Sequence, residues 1–599
     1  MSAVSQNLNA EVNMVKRLFF SLAVSQIITA CCLMLSAVAN GIFIGKFLGA
    51  QDIAAFGLIN PVYLLMSAVT TTLAMGTSTY CGTLLGKGNL QKAKEVFTSN
   101  AVAVIFLSLA FTLTAFFFAD ELCEMMGARG THENLKHGLI SYLYGFAPAF
   151  FPIAAGMNLM GILYLEGAKK RVLTAMVSSL VVNIIGDFLS VTVFDGGLFG
   201  IALATSCGSY VSFIILAAHY LHDPLLFFTR KNFSLKPLSE IFSLGFANVI
   251  SRLSVFGRIF AINYLLVAIF PQVALTAFSV KNNLDNLYVS VVLGIASTIL
   301  TLGAVYSGEE DKTSMKILYK LSLKYGLMLI VSISVVVFVF AEQIVTVYLP
   351  EDPEAVPEAV TALRLYIISL PFYFIGETYV SFARVLRKKF FSSLLCGLES
   401  FGFVIFFAYA LGYSVGLNGV WISFFCGEVA TMIFIFAAIC KHCGHLPKSL
   451  DDFIMLPKDF DVSPKERLRL TVSNMQEVLE ASKNVQNFLL KQGVSERDAY
   501  ITALSVEELG GNIIRWSFKS AQKNTISIYL VFKDNEWILR LRDDCKPFNP
   551  KQWFELSLQN KDDPFKNMGI RIIMSMAKHI EYLNVLRINN LIIRLPQNR

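Results

Sequence analysis

An all-α polytopic membrane protein, with twelve transmembrane helices in two six-helix pseudo-symmetric lobes and an α+β domain after them, is the fold the sequence predicts. Three observations carry it. Hydrophobic residues make up 55% of the 599 and charged residues only 16%, with a mean hydropathy of +0.58, a membrane-protein composition. From about Lys16 to Lys441 the apolar residues come in blocks of about 20 or more, the length a helix needs to cross a bilayer, whereas charges are scattered every few residues beyond Pro447. The apolar part is also duplicated. Gly197-Leu198-Phe199-Gly200-Ile201 recurs as Gly416-Leu417-Asn418-Gly419-Val420, and Pro152, Lys169 and Lys170 recur as Pro371, Lys388 and Lys389. Ala55-Phe56, Asn60 and Gly86 recur as Ala277-Phe278, Asn282 and Gly308. The repeated unit is roughly 220 residues, far longer than a solenoid repeat.

The spans are expected at 17–39, 53–80, 94–119, 138–164, 172–194 and 197–221, and again at 241–269, 273–305, 316–349, 359–386, 391–411 and 416–440. The domains follow: a first lobe over 1–221, a second over 222–446, a polar linker with three prolines over 447–464, and a C-terminal domain over 465–599. The loops on one side hold Lys87, Lys92 and Lys94, then Lys169-Lys170-Arg171, then Arg230, Lys231 and Lys236, and later Arg387-Lys388-Lys389. The opposite loops hold Asp120, Glu121 and Glu124, and Glu351, Asp352, Glu354 and Glu358. By the positive-inside rule both termini and the C-terminal domain are expected in the cytoplasm, with the chain in a bacterial inner membrane. Lys16-Arg17 precede a segment long enough to stay in the bilayer, so no cleavable signal is expected. The net charge of +7 is spread over these loops and is not a nucleic-acid signal. Most of the ten cysteines fall in apolar blocks and read as small buried hydrophobes; Cys440 and Cys443 near His442 and His445 lack a second ligand pair for a metal.

Duplicated halves in an apolar chain point to a transporter with its site between them. An ionised side chain inside a span costs several kcal/mol unless paired or hydrated, so such residues face the protein interior and mark function or helix-helix contact. Asn183 and Asp187, four apart, stack on one helical face in the fifth span. The second lobe is rich in charge: Arg252, Arg258, Lys281, Asp285, Glu377, Arg384, Glu399 and Glu428. Lys281 and Asp285 are spaced to pair. Arg252, Arg258 and Lys281 are read either as structural pairs and snorkelling side chains or as a positive cavity for an anionic or zwitterionic substrate. Glu377 is the second-lobe candidate for contact with a cationic one.

The segments Asn40-Gly41-Ile42-Phe43-Ile44-Gly45-Lys46-Phe47-Leu48-Gly49, Ala54-Ala55-Phe56-Gly57-Leu58 and Gly197-Leu198-Phe199-Gly200-Ile201-Ala202-Leu203-Ala204-Thr205 resemble the multidrug and toxin extrusion (MATE) family, over roughly residues 15–445. The resemblance implies two lobes around a central cavity and cation-coupled export of small amphiphilic compounds. It also implies a Na⁺ or H⁺ site at the positions of Asn40, Asn183, Asp187 and Thr205. Asn40 stands where many relatives carry Asp, and an amide offers an oxygen but no proton uptake.

The C-terminal part is expected to be a helical layer on a mixed sheet: a strand at Arg467–Val472, helices at 476–492 and 495–517, and strands at 525–533 and 536–542. A helix near 569–578 and a hairpin turning at Asn589-Asn590 complete it. Val506-Glu507-Glu508-Leu509-Gly510-Gly511-Asn512, Asp543-Asp544-Cys545-Lys546-Pro547-Phe548 and Asn567-Met568-Gly569 resemble the boxes of histidine-kinase-type ATPases, nearest to anti-sigma-factor serine kinases. The resemblance implies that Asn512 holds Mg²⁺ on ATP, Asp543 accepts from adenine, and Glu508 is the base. It also implies that Gly569 lets a helix end approach phosphate, and that 551–567 forms a lid. Cys545 replaces a glycine, a substitution that is costly wherever φ must be positive.

The leading expectation is an exporter modulated by an ATP-binding cytoplasmic domain. The runner-up is a membrane receptor whose C-terminal domain binds a regulatory partner protein, or phosphorylates it on serine, transport having been lost.

Overall fold

The computed structural model describes residues 2–125, 133–222, 224–349, 354–457, 459–518, 524–533, 535–559, 571, 573–574 and 579–596. The first half holds α1 (Ser2–Phe43), α2 (Ala50–Leu58), α3 (Asn60–Gly86), α4 (Leu90–Phe117), α5 (Ala119–Met125), α6 (Glu133–Phe146), α7 (Phe150–Leu165), α8 (Lys169–Thr192) and α9 (Gly197–Ala217). The second holds α10 (Lys236–Ile269), α11 (Gln272–Glu309), α12 (Lys312–Leu321), α13 (Leu327–Val339), α14 (Ala341–Tyr348), α15 (Val356–Ile367), α16 (Leu370–Val385), α17 (Lys389–Gly397), α18 (Phe403–Val415) and α19 (Leu417–Cys443).

Among the described residues ten helices are long and apolar enough to cross a membrane, eleven with the bent pair α15–α16 taken as one span. The count differs from the expected twelve because of α3. Its 27 residues carry no charge but include Ser67, Thr70, Thr71, Thr72, Thr77, Ser78, Thr79 and Thr83, which dilute its hydropathy. Several hydroxyls bond back to the preceding turn, as Thr70 to the Met66 carbonyl and Thr83 to that of Thr79, both at 2.9 Å.

The duplication is visible in the backbone. Gly197 and Gly416, at the starts of α9 and α19, both have positive φ, and so do Gly88 and Glu310 at matching turns. The paired prolines mark matching breaks. A 3₁₀ turn at Ala147–Ala149 separates α6 from α7, just ahead of Pro152, and α15 meets α16 at 44° with Pro371 in the first turn after the break. A proline lacks the N–H of the ladder and crowds the preceding turn, so it sits at such starts.

Helix α3 lies at the centre of the lobe interface, packing on α10 and α11 of the other half. Its glycines allow the close approach. A Cβ added to Gly76 would lie 2.0 Å from the Ile241 carbonyl oxygen, one on Gly86 2.2 Å from that of Val305, and one on Gly308 2.1 Å from that of Thr83. Small residues at a membrane helix crossing let backbones touch where hydrophobicity alone gives no driving force. These contacts draw together the ends of the lobes on the side that carries the C-terminal domain.

A short helix, α20 (Leu450–Ile454), opens with a capping box, Ser449 and Asp452. The domain follows: β1 (Arg467–Val472), α21 (Met475–Lys491), α22 (Glu496–Ser517), β2 (Ile526–Lys533), β3 (Glu536–Asp543), α23 (Pro550–Gln559), β4 (His579–Val585) and β5 (Ile588–Pro596). Asn474 and Ser495 cap α21 and α22. The sheet order is β1-β2-β3-β5-β4, and every pairing is antiparallel, where a mixed sheet was expected. The hairpin turns at Leu586-Arg587, both at positive φ, and not at Asn589-Asn590. Turn propensity is overridden because both asparagines are used inside the strand, Asn589 on Asp543 and Asn590 on Glu309. The turn itself docks on the first lobe, Leu586 N donating to the Leu165 carbonyl at 2.6 Å. The helix expected near 569–578, and Gly569 with it, lies outside the described residues, apart from positions 571, 573 and 574.

The sheet is covered on both faces. Ile528, Leu530, Leu539, Leu541, Leu591 and Ile593 pack with α21 and α22, whereas Tyr529, Val531, Ile538 and Ile592 join the core of the membrane part.

Replacing Gly308 with Val is expected to overpack the α3–α11 crossing at a cost of about 1–3 kcal/mol. Thermal unfolding of the purified chain checks this, and an unchanged Tm counts against the crossing.

Candidate functional site

The four first-lobe positions singled out from the sequence meet in space. Asn40 leaves α1, Asn183 and Asp187 share one face of α8, and Thr205 faces them from α9. All but Thr205 are buried, and Asp187 is 0% exposed. Asn183 Nδ2 donates to Thr205 Oγ1 at 3.1 Å, and Ser36 Oγ donates to Asn183 Oδ1 at 2.5 Å. The network orients the Asn40 amide: its oxygen accepts from Thr205 Oγ1 at 2.9 Å, while its nitrogen lies 2.9 Å from Asp187 Oδ2 and 3.0 Å from Asn183 Oδ1. Asn40 is therefore a donor to the carboxylate here, with its oxygen turned away. Asp187 Oδ1 is buried and has no hydrogen-bond partner among the described residues. A buried carboxylate oxygen left unmatched costs free energy until a cation or proton meets it, so the donor set fits a small cation or a proton. Ser36 and Tyr142, whose hydroxyl bonds Asn40, were not evident from sequence; Ser36 is one polar residue in an apolar run, and Tyr142 sits beside Ser141 and Tyr144 with nothing to single it out.

The second lobe holds a larger cluster. Lys281 is 1% exposed, its Nζ 3.4 Å from Asp285 Oδ2 and 3.7 Å and 4.0 Å from the ring centroids of Tyr366 and Phe424. The Tyr366 hydroxyl donates to Asp285 Oδ1. Arg258 stands 4.0 Å from Asp285. Arg384 donates to Asn248 Oδ1 at 3.1 Å and to Cys396 Sγ at 3.5 Å. Glu377, Glu399 and Glu428 are all buried, and Glu399 Oε1 and Glu428 Oε2 have no partner among the described residues. Arg258, Lys281 and Arg384 thus face four carboxylates. Of the two readings of Arg252, Arg258 and Lys281, ion pairing describes Lys281 and Arg258, which both turn to Asp285. Arg252 is half-buried and makes no ion pair among the described residues.

In the C-terminal domain Asn512 and Asp543 line one small pocket with Lys546, Phe548, Tyr582 and Asn589. Asp543 Oδ1 accepts from Asn589 Nδ2 at 2.8 Å and from Cys545 N at 2.9 Å. Burial raises the Asp543 carboxyl above the usual range, opposed by those two donors. Cys545 is not among the residues at positive φ, so the steric objection to a side chain there does not arise. Burial and the neighbouring Asp543 and Asp544 push its thiol up to about 12. Glu508 lies one turn before Asn512 on α22, half-buried. The Asn512–Asp543 pair in one cavity fits a nucleotide with its metal.

A third constellation was missed from sequence. On the outer face of the sheet, Arg469 Nη1 contacts Glu11 Oε2 at 2.5 Å and its Nη2 contacts Asp311 Oδ1 at 2.8 Å. Arg542 reaches Glu309 Oε2 at 2.5 Å and Asp311 Oδ2 at 3.3 Å. Burial opposes ionisation of Asp311, but Arg469 and Arg542 outweigh it and hold its carboxyl well below the usual range. The signal was available: Glu309-Glu310-Asp311 are acids on an otherwise basic side, and Arg467/Arg469 and Arg540/Arg542 alternate along strands.

A duplicated helical bundle with a buried polar cluster in each half, bearing a sheet domain on one end, defines a two-lobed secondary-transporter fold with an appended ATPase-like domain. Residues 26–189 and 249–410 match the profile of the MatE family, and 471–594 match that of the histidine kinase-like ATPase domain. The chain belongs to the MatE family. It is 22% identical over 340 residues to the multidrug export protein MepA of Staphylococcus saprophyticus, covering 56% of this chain and 73% of that one. With MepA of Staphylococcus aureus strain MRSA252 it shares 24% over 341 residues, at the same coverage. Among solved structures it superposes with TM-score 0.66 on an outward-facing multidrug resistance MATE family transporter, 24% identical, covering 70% of this chain and 94% of that one. The same score relates it to a MOP superfamily transporter from Pyrococcus furiosus described as having a binding pocket of reverse polarity, 23% identical, at 73% and 97% coverage.

Lys281→Met leaves Asp285 a buried carboxylate without its nearest cation and is expected to destabilise the chain by about 3–5 kcal/mol. Asp285→Asn in the same molecule should restore most of the loss. Thermal unfolding of the three variants checks the cycle, and additive losses would contradict the pairing.

Proposed function

We propose that the protein is a cation-coupled antiporter that exports small amphiphilic compounds, in the manner of the multidrug export proteins it resembles. The observation that carries this reading is the unmatched Oδ1 of the buried Asp187, set among Asn40, Asn183 and Thr205. Na⁺ or H⁺ supplies the compensating positive charge when bound there. Asn183 and Thr205 hold the carboxylate's surroundings in place, and Asn40 donates to Oδ2, keeping the other oxygen directed at the site. Discharge of the cation would leave the carboxylate uncompensated, which ties its occupancy to the arrangement of α1, α8 and α9. Substrate is met between the lobes by Arg252, Arg258 and Glu377, whose mixed charges suit zwitterionic or amphiphilic compounds. The two lobes, residues 1–221 and 222–446, rock against each other to expose the cavity on alternate sides.

The basic loops support placing the domain side of the bundle, both termini and residues 465–599 in the cytoplasm of a bacterium, beyond the linker at 447–464. There the Asn512–Asp543 cavity binds ATP with Mg²⁺ on Asn512, and the domain regulates export, with a cytoplasmic regulatory protein as its further partner.

In proteoliposomes loaded with a fluorescent amphiphilic cation and given an inward Na⁺ or proton gradient, efflux should fall at least about tenfold in Asp187→Asn, the loss of a coupling charge worth about 1.4 kcal/mol or more. Equal efflux would remove the cation site. Separately, a fluorescent ATP analogue should bind the full chain with Mg²⁺, and Asp543→Ala should weaken that binding at least about tenfold. No binding to the unaltered chain would leave the domain a nucleotide-free fold.

A further inference from the structure

We propose that the outer face of the C-terminal sheet is a clamp across the two lobes, which holds the domain side of the transporter shut until the sheet lets go of one lobe. The inference rests on the alternating-access reading and names how the domain acts on it. Its basis is the distribution of the contacts, since one face of the sheet touches both halves of the bundle, and Arg469 alone reaches both.

Arg469 is the plainest case. One guanidinium nitrogen holds Glu11 on α1, in the first lobe, and the other holds Asp311 at the start of α12, in the second. The two carboxylates are 7% and 1% exposed, and the Ser314 hydroxyl of α12, 3.0 Å from Glu11 Oε1 and 2.8 Å from Asp311 Oδ2, joins the same network, so the guanidinium adds the charge to a direct contact of α1 with α12. A planar fork can serve two acids at once, whereas an ammonium is a single point of charge. Arg542, on the neighbouring part of the same face, ties Asp311 to Glu309 at the end of α11, and Asn590 Nδ2 adds a bond to Glu309 Oε1 at 3.1 Å. Lys533 pairs with Glu310. These three grip the second lobe.

The first lobe is gripped elsewhere on the sheet. Arg594 donates to the Lys87 carbonyl at 2.8 Å at the end of α3, and Leu586 N to the Leu165 carbonyl at the end of α7. The hairpin turn sits so close there that a Cβ on Gly167 would meet Arg587 N at 2.9 Å. Arg17 of α1 pairs with Asp544 beyond β3. Between these grips lies an open cleft lined by Lys87 from one lobe, Gly308 and Glu310 from the other, and Tyr529 and Arg540 from the sheet.

For the lobes to part on this side, Glu11 must move away from Asp311. A rigid antiparallel sheet bonded to both cannot follow both, so at least one set of charge-assisted bonds breaks first. Breaking them strands buried charge, which makes the closed side the resting state and the docking of the sheet its lock.

The test reads lobe separation and does not depend on export. Spin labels carried on an unnatural amino acid, which leaves the native cysteines untouched, are placed at Lys170 and Phe390. Both positions are exposed, one in the first turn of α8 and one in that of α17. Pulsed electron spin resonance then gives their distance distribution in the full-length protein. The unaltered chain should show one short population. Arg469→Gln should add a longer one, rising above about a tenth of the molecules, the upper range of an ordinary minor state. Arg469→Lys keeps the charge but not the fork and should do the same to a lesser degree, so the test survives if the first variant folds poorly. Lys533→Gln, which loosens one lobe only, should leave the distribution unchanged. A single short population in both Arg469 variants overturns the clamp, as does an equal shift in Lys533→Gln. Absence of efflux by the unaltered chain, with the distance shift of the variants intact, would instead refute the exporter reading and leave the clamp standing.

Discussion

Charge taken out of water has to be matched, and this constraint organises the molecule at three depths. In the first lobe a fully buried carboxylate has one oxygen held by an amide and the other bare. In the second, three cations and four acids share a core lined by aromatic rings. Where the bundle meets the domain, two arginines and three carboxylates close one network across four separate segments of chain. The cost of an isolated buried ion makes each set all-or-none: members are retained together, and moving one element disturbs every partner.

The sheet is what joins the chemistry of the domain to the mechanics of the bundle. Along β3, Leu541 and Asp543 point to the helical side and the candidate nucleotide cavity, whereas Arg540 and Arg542 point to the lobes. The alternation of a strand puts neighbours on opposite faces, so the group proposed to meet adenine is the immediate chain neighbour of a group that holds Asp311. Arg17 of α1 pairs with Asp544, the next residue again.

Much of this was legible in the residues. The duplication, the order of the spans, the convergence of Asn40, Asn183, Asp187 and Thr205, and the pairing of Lys281 with Asp285 follow from spacing and from resemblance. The first three strands and the two long helices of the C-terminal domain were also placed to within a residue or two. What was missed is non-local. Asn589-Asn590 reads as a turn because short-range propensity favours it, yet tertiary partners on Asp543 and Glu309 hold both in a strand. The near-continuous apolar run of β2, Ile526–Phe532, signals a sheet buried on both faces, and no local pattern names the surface that covers the second face. Helix α3 falls short on hydropathy because it serves the lobe interface, where small and hydroxyl side chains are worth more than apolar bulk.

Whether Asp187 is the group that exchanges its compensating charge is best measured on its own carboxyl band. Infrared difference spectra of the full-length protein, recorded on adding Na⁺ and on changing pH and compared with those of Asp187→Asn, isolate that band. The account predicts a carboxyl signal that shifts with one of the two ions in the unaltered chain and is missing from the variant. Spectra that are identical for both proteins under both conditions would contradict it.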